Sequence, residues 1–207
     1  MPKNKTYATP KSTAVFPWIT KPDTRFDAAG TYKTGLAFEE DAPFLAELEE
    51  IVEAEKVKLR KSGKLTKAKE GRFHMPIKPE TTKNAEGEYE ETGRLVVTFK
   101  SKAQWPDGSP KEMKVFDAKG KAMKGVNVFG GAEIKVAFSA SGYSHGANVG
   151  VALYMNAVQV INLASKQDTG ESFGFGVEEG GYEFKEADAE DESAEDIITT
   201  EADDEEF

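Results

Sequence analysis

The sequence predicts an all-β domain of five to six strands, with one helix inserted after the second strand and a disordered acidic tail behind it. Three observations predict it. Runs of alternating apolar and polar residues recur along the first 163 positions, with Gly, Pro and Asp at the bends between them. Apolar residues at helical spacing occur in one stretch, Asp41 to Lys61. The last 22 residues, Glu186 to Phe207, hold 12 carboxylates and neither Lys nor Arg. Strands of this number and length suit a small closed or partly open barrel. There is no internal repeat and no alternation of strands with helices.

Taken in order, Thr13–Thr20 reads as the first strand, with Pro17 at an edge or bulge and Lys21-Pro22-Asp23 ending it. Gly30–Phe38 is the second. Asp41 suits a helix N-cap, Pro43 a first turn, and Phe44, Leu48, Ile51, Val52 and Leu59 form one apolar face that Gly63 closes. Residues 62–93 are polar and turn-rich around a short apolar patch, Phe73–Ile77. The clearest strand follows: Leu95, Val97 and Phe99 point one way, Val96, Thr98, Lys100 and Lys102 the other. Trp105–Gly108 is a turn and Lys111–Asp117 a return strand, which together predict a hairpin with a basic face and a Trp at its tip. After a second turn, Ala118–Lys121, come a strand around Ile134–Ser139 and a long final strand, Val149–Leu163. A Gly-rich stretch, Gly170–Gly181, leads to the tail. The expected division is a folded domain over 1–182 and a disordered tail over 183–207.

Charge separates the two. The chain has 37 acidic and 27 basic residues, a net of −10, yet residues 1–185 carry 25 acids and 27 bases. The protein is acidic only because of its tail. A block of like charge repels itself and cannot bury enough apolar surface to offset the entropy of ordering. A coil of this length spans roughly 25 Å, enough to reach much of the surface of its own domain. Within the body, Lys56–Lys124 holds 18 basic and 9 acidic residues. A cationic middle with an anionic terminus favours a polyanionic partner, with the tail in competition. The terminal Phe207 points to a protein pocket as a second partner of the tail.

Several function classes are set aside. There is no Cys, so disulfide frameworks and thiolate metal sites are excluded. His74 and His145 stand far apart. No nucleophile elbow, phosphate loop ending in Gly-Lys-Ser/Thr, or His-Glu-x-x-His motif is present. Neither an enzyme nor a cofactor or metal site is expected. No apolar run approaches the ~18 residues of a membrane span, and no apolar segment follows the N-terminus, so a soluble, intracellular protein is expected.

Single-stranded nucleic acid suits the residue types that remain. It requires cations along its phosphates and aromatic faces for its bases. The predicted hairpin supplies Lys100, Lys102, Lys111 and Lys114 with Trp105, and Arg94 at its base. Tyr154, which shares its strand face with the small residues Gly150 and Ala152, is either a stacking platform or packed against another strand. Trp18, which shares a face of the first strand with Phe16, is a stacking site or core, Phe99 is read as core, and Tyr143 is a weaker loop candidate.

These residues also carry a resemblance. Trp18-Ile-Thr-Lys-Pro-Asp23, Gly30-Thr-Tyr-Lys33, Met75-Pro76, Val115–Met123, Gly130–Val136 and the ending Ala202–Phe207 follow one another in an order that resembles the replication single-stranded DNA-binding proteins of tailed bacteriophages, the short-tailed podovirus type. The resemblance implies an OB-fold, a Greek-key barrel that coats single-stranded DNA without sequence preference in phage replication, recombination and repair, in the cytoplasm of the infected bacterium. It implies a possible homodimer. It also implies a tail that competes with DNA and docks on the phage DNA polymerase and primase-helicase through Asp203, Asp204, Glu205, Glu206 and Phe207. The hairpin tip and residues 62–93 depart from the family pattern. Two other readings stand beside this one: an acidic-tailed interaction module or chaperone that binds no nucleic acid, and a Mg²⁺-dependent nuclease using scattered carboxylates.

Overall fold

The computed structural model describes residues 5–84 and 86–164. The predicted boundary at 182 and the tail residues through Phe207 lie outside them. In chain order the elements are β1 (Tyr7–Ala8), β2 (Ser12–Asp23), β3 (Thr31–Glu39), α1 (Pro43–Lys61), α2 (Lys67–Glu70), β4 (Phe73–His74), β5 (Ile77–Lys83), β6 (Tyr89–Lys102), β7 (Lys114–Phe116), β8 (Glu133–His145) and β9 (Asn148–Asn162).

Five of these strands close on themselves. β2 pairs with β3, β3 with β6, β6 with β9, β9 with β8, and β8 returns to β2. All pairings are antiparallel except β6–β9, a short parallel seam at Phe99–Leu153 and Lys100–Tyr154. This is a five-stranded Greek-key barrel, an OB-fold. β1 extends the sheet beside β8, β5 beside β6, and β4 and β7 beside β9.

The interior follows from period-two alternation. Val97 and Phe99 of β6, Ile134, Val136 and Phe138 of β8, and Leu153 and Met155 of β9 are fully buried. Phe138 lies at the centre, with ring centroids at 5.1 Å from Phe99, 5.5 Å from Tyr7 and 6.4 Å from Phe44. Leu45, Leu48, Val52 and Leu59 of α1 recur every three to seven residues, with Phe44 beside the first, so one stripe of the helix is buried, packed on β8 and β9. Lys58, Arg60 and Lys61 fill the last turn, where positive charge complements the helix dipole.

Four sequence expectations require correction. Lys111–Asp117 does not return along β6. β7 instead pairs in parallel with β9, and the Trp105 loop is tied back through the Gln104–Pro110 bridge, the Lys111 N–H to Ala103 carbonyl bond (2.8 Å) and Lys111 Nζ on Ser101 Oγ (2.6 Å). Parallel pairing with a strand some 40 residues later has no local signature. Residues 62–93 are not simply turns: they hold α2, β4, β5 and the start of β6. The outer part of the β5–β6 ribbon, residues 81–83 with 89–91, is exposed on both faces, so no apolar period marks it. The N-cap is Ala42 with no side-chain cap, one residue beyond Asp41; Pro43 does occupy the first turn. Finally, Phe16 and Trp18 are not related by strand alternation. Phe16 is left-handed (φ 46°) and sits in a bulge, where Phe16 and Pro17 of β2 stand against Thr34 alone of β3 between the Val15–Gly35 and Trp18–Lys33 pairs.

Candidate nucleic-acid interface

Register places four side chains in one row across the outside of the barrel. Trp18 on β2 pairs with Lys33 on β3, Lys33 with Lys100 on β6, and Lys100 with Tyr154 on β9. Directly paired residues project to the same face of a sheet, so the row reads ring, cation, cation, ring. Strands lie about 4.8 Å apart, which gives the row a length of roughly 14 Å.

A groove runs over this face in two sections that meet at Thr98. The first, about 420 Å³, is lined by Phe16, Trp18, Arg25, Lys33, Gly35 and Val96 among others. Its floor is Gly35, where a Cβ would come within 2.6 Å of Val96 Cγ1. The bulge turns the Phe16 ring outward, 81% exposed. A left-handed bulky residue is strained, and here the strain presents an aromatic face at the groove wall.

Asp23 organises the cations of this section. Its carboxylate is buried (3% exposed) and accepts from Arg25 Nε at 2.9 Å and Arg25 Nη2 at 3.0 Å, with Lys33 Nζ at 2.5 Å. The fork-to-fork geometry fixes the guanidinium 5.0 Å from the Trp18 ring centroid and 5.9 Å from that of Phe26. The Arg25 and Lys33 hydrogen bonds hold the Asp23 carboxyl well below the usual carboxylate range, and Asp23 in turn raises the Arg25 guanidinium. An unfolded Asp near 3.9 takes up a proton more readily than this one. The clamp therefore contributes stability above pH ~3.9, and that contribution is lost as pH falls through the depressed native value. Asp23→Asn is expected to lower Tm at pH 7 and 5 alike, with the difference from wild type shrinking below pH ~3.9. Thermal melts across pH check this; a difference that grew on acidification would contradict the assignment.

The second section, about 450 Å³, lies along the parallel seam. β6 and β9 pair over only two residues, and the segment 73–79 fills the gap between them. His74 pairs with Gly150 of β9, the Thr98 N–H donates to the Pro76 carbonyl (2.9 Å), and Ile77 pairs with Val97 of β6. Glycine is required at 150, because a Cβ there would stand 2.5 Å from the His74 carbonyl oxygen. Met75, Lys78, Lys100, Tyr143, His74 and His145 line this section, and Lys100 Nζ sits 6.0 Å from the Tyr143 ring centroid.

Of the residues singled out in the sequence, Trp18, Lys100 and Tyr154 come together here. Lys102 shares their face, 3.6 Å from Asp27. Arg94 stands apart, held by Glu80 at 2.7 Å at the foot of the β5–β6 ribbon. Trp105 lines a separate depression with Pro106, Asp107 and Ser109. Lys111 folds back over the Trp105 ring (5.0 Å) and donates to Ser101 Oγ (2.6 Å); burial lowers its ammonium pKa. Lys114 lies on β7, beside β9. Asp203 to Phe207 are outside the described residues. The groove residues that sequence reasoning passed over are Phe16 as a groove wall, Arg25, Lys33, Lys78 and Met75. Their signals were Lys33 within the Gly30–Lys33 motif and Met75 within the Met75-Pro76 motif.

A closed five-stranded barrel with a basic, aromatic-lined groove across its outer face defines a class of single-strand-binding OB proteins. The sequence matches, over residues 11–163, the family model of the single-stranded DNA-binding protein of bacteriophage T7, and the chain belongs to that family. Its fold is similar to the T7 single-stranded DNA-binding protein gp2.5, with a TM-score of 0.62 at 23% identity over 88% of this chain and all of that one. It is also similar to the single-stranded DNA-binding protein of bacteriophage Enc34 in complex with ssDNA, with a TM-score of 0.55 at 14% identity over 77% of this chain and 88% of that one. No curated protein matches at the sequence level. Family membership places the chain among binding proteins rather than enzymes. Among the described residues no helix is long and apolar enough to cross a membrane.

Proposed function

We propose that this protein coats single-stranded DNA, without sequence preference, during phage replication and recombination in the infected cell. The observation that carries the reading is the row Trp18–Lys33–Lys100–Tyr154. It sets a ring at each end of a pair of cations on a strand-wide face, the pattern that a sugar-phosphate chain with stacked bases requires. Every base has a π-face, so such a row does not discriminate sequence. The Enc34 protein, similar in fold, has been seen with ssDNA bound.

The acidic terminus, with 12 carboxylates over 186–207, contends for the same groove. Its last residues, Asp203 to Phe207, recruit the phage polymerase and primase-helicase. The test is a salt titration of oligo-dT binding on intact protein and on protein ending at 185. Four groove cations, Arg25, Lys33, Lys78 and Lys100, contribute a slope of log K against log salt of about −3 on an oligo-dT short enough to lie in the groove alone, at roughly −0.7 per contact. Truncation is expected to tighten binding, most at low salt. A slope near zero would overturn groove binding; an unchanged affinity on truncation would overturn the competition.

A further inference from the structure

Beyond the groove, α1 and the segment after it divide charge along their length. Residues 39–55 hold eight acids and no base; residues 56–72 hold eight bases and one acid, Glu70. Several of these pair within the segment: Lys56 and Arg60 with Glu53, Lys58 with Glu55, and Arg60 with Glu70. Lys61, Lys64, Lys67 and Arg72 are exposed and join no ion pair among the described residues. The one acid of the basic half is thus neutralised, and four cations face solvent.

This basic end abuts the far mouth of the groove. Lys69 Nζ donates to the Gly146 carbonyl at 2.9 Å and to Ser144 Oγ at 3.4 Å, and Ser144 Oγ donates to the Lys64 carbonyl at 3.4 Å. Residues 64–69 are therefore seated on the β8–β9 turn, whose neighbours Tyr143, His145 and Asn148 line the second groove section. Arg72 stands two residues before His74, which lines it too. The cations of the α1 end therefore border the second groove section across the end of the β8–β9 hairpin, with Ser144 on their side and Tyr143 and His145 on the groove side.

We propose that single-stranded DNA leaving the groove past Tyr143 and His145 continues over the basic end of α1, where Lys61, Lys64, Lys67 and Arg72 bind its phosphates as a second segment of the site. This rests on the groove reading above. The row across the barrel spans roughly 14 Å, which suits only the lower end of the ~4–16 nucleotides such barrels occupy. The α1 segment lengthens the footprint. It carries no exposed ring beside its lysines, so it grips backbone alone. The acidic half of α1 repels the strand, so the path turns at the basic end rather than following the helix.

The test uses the full chain with Lys61, Lys64, Lys67 and Arg72 all changed to Gln, and oligo-dT of about 5, 16 and 40 nucleotides. On the 5-mer the variant is expected to match wild type. On the 16-mer it loses affinity, and its salt slope falls by about 3. The gap between variant and wild type then narrows roughly 50-fold between about 50 and 200 mM salt. A Lys64→Arg/Lys67→Arg protein keeps wild-type behaviour, and thermal melts confirm that all variants fold. Equal loss on the 5-mer and 16-mer, or no loss on the 16-mer, overturns the proposal. So does a loss confined to the 40-mer, which would make the basic end a contact between neighbouring copies. Trp18→Ala on the 5-mer tests the groove separately: no effect there would overturn the groove reading whatever the α1 variant does.

Discussion

Phe138→Ala is expected to destabilise the domain by about 3–5 kcal/mol, the range for removing a buried aromatic ring from a core that cannot collapse around the gap. The ring is fully buried and touches four elements at once: Tyr7 on β1, Phe44 on α1, Phe99 on β6, and β9 through the Phe138–Met155 register. None of these can move inward alone, because each is tied to a different part of the barrel. Against a total of about 5–15 kcal/mol for a domain, the loss is a large fraction. It corresponds to a fall in Tm of roughly 10 °C or more. Urea melts should show a lower midpoint at unchanged slope. A shift of only a degree or two would mean that Phe138 is not the common contact of α1 and the barrel.

Much of this architecture was legible in the sequence, and the exceptions have physical causes. Val97 and Phe99 alternate with Thr98 and Lys100, so the alternation alone tells the inside of the central strand from its outside. The apolar stripe of α1, from Phe44 to Leu59, was equally plain. The partner of β7 was not, because a parallel contact with β9 leaves no local trace and a Trp-Pro-Asp-Gly turn mimics a hairpin. The outer part of the β5–β6 ribbon, residues 81–83 with 89–91, has no buried face and so no period. The groove was the least legible feature. Trp18, Lys33, Lys100 and Tyr154 are scattered over some 130 positions and meet only through cross-strand register. The Phe16 bulge breaks the alternation that would have placed its neighbours. The hairpin lysines looked like a site because they are close in sequence, yet Lys111 donates to Ser101 and Arg94 is held by Glu80.

Trp18→Ala should weaken oligo-dT binding by roughly 5- to 150-fold, the equivalent of ~1–3 kcal/mol for one lost base stack. The salt slope should not change, since indole carries no charge. Lys100→Ala should do the reverse in kind: a modest loss of affinity and a slope shallower by about 0.7. That contrast separates stacking from phosphate contact at two positions of one row. The protein has two tryptophans, Trp18 and Trp105, so fluorescence can assign the stack. Trp105→Phe should keep both its affinity and its quenching by DNA, because the indole at 105, with Lys111 over one face, lines a depression apart from the groove. Trp18→Phe should keep most of the affinity and lose most of the quenching. Trp18 is half-buried beneath the Arg25 guanidinium, so its removal also frees that side chain. Melting curves at pH 7 separate this from unfolding. If Trp105→Ala lost affinity while Trp18→Ala did not, the strand would have to run over the Trp105 loop instead of across the barrel, and the row from Trp18 to Tyr154 would not be the binding face.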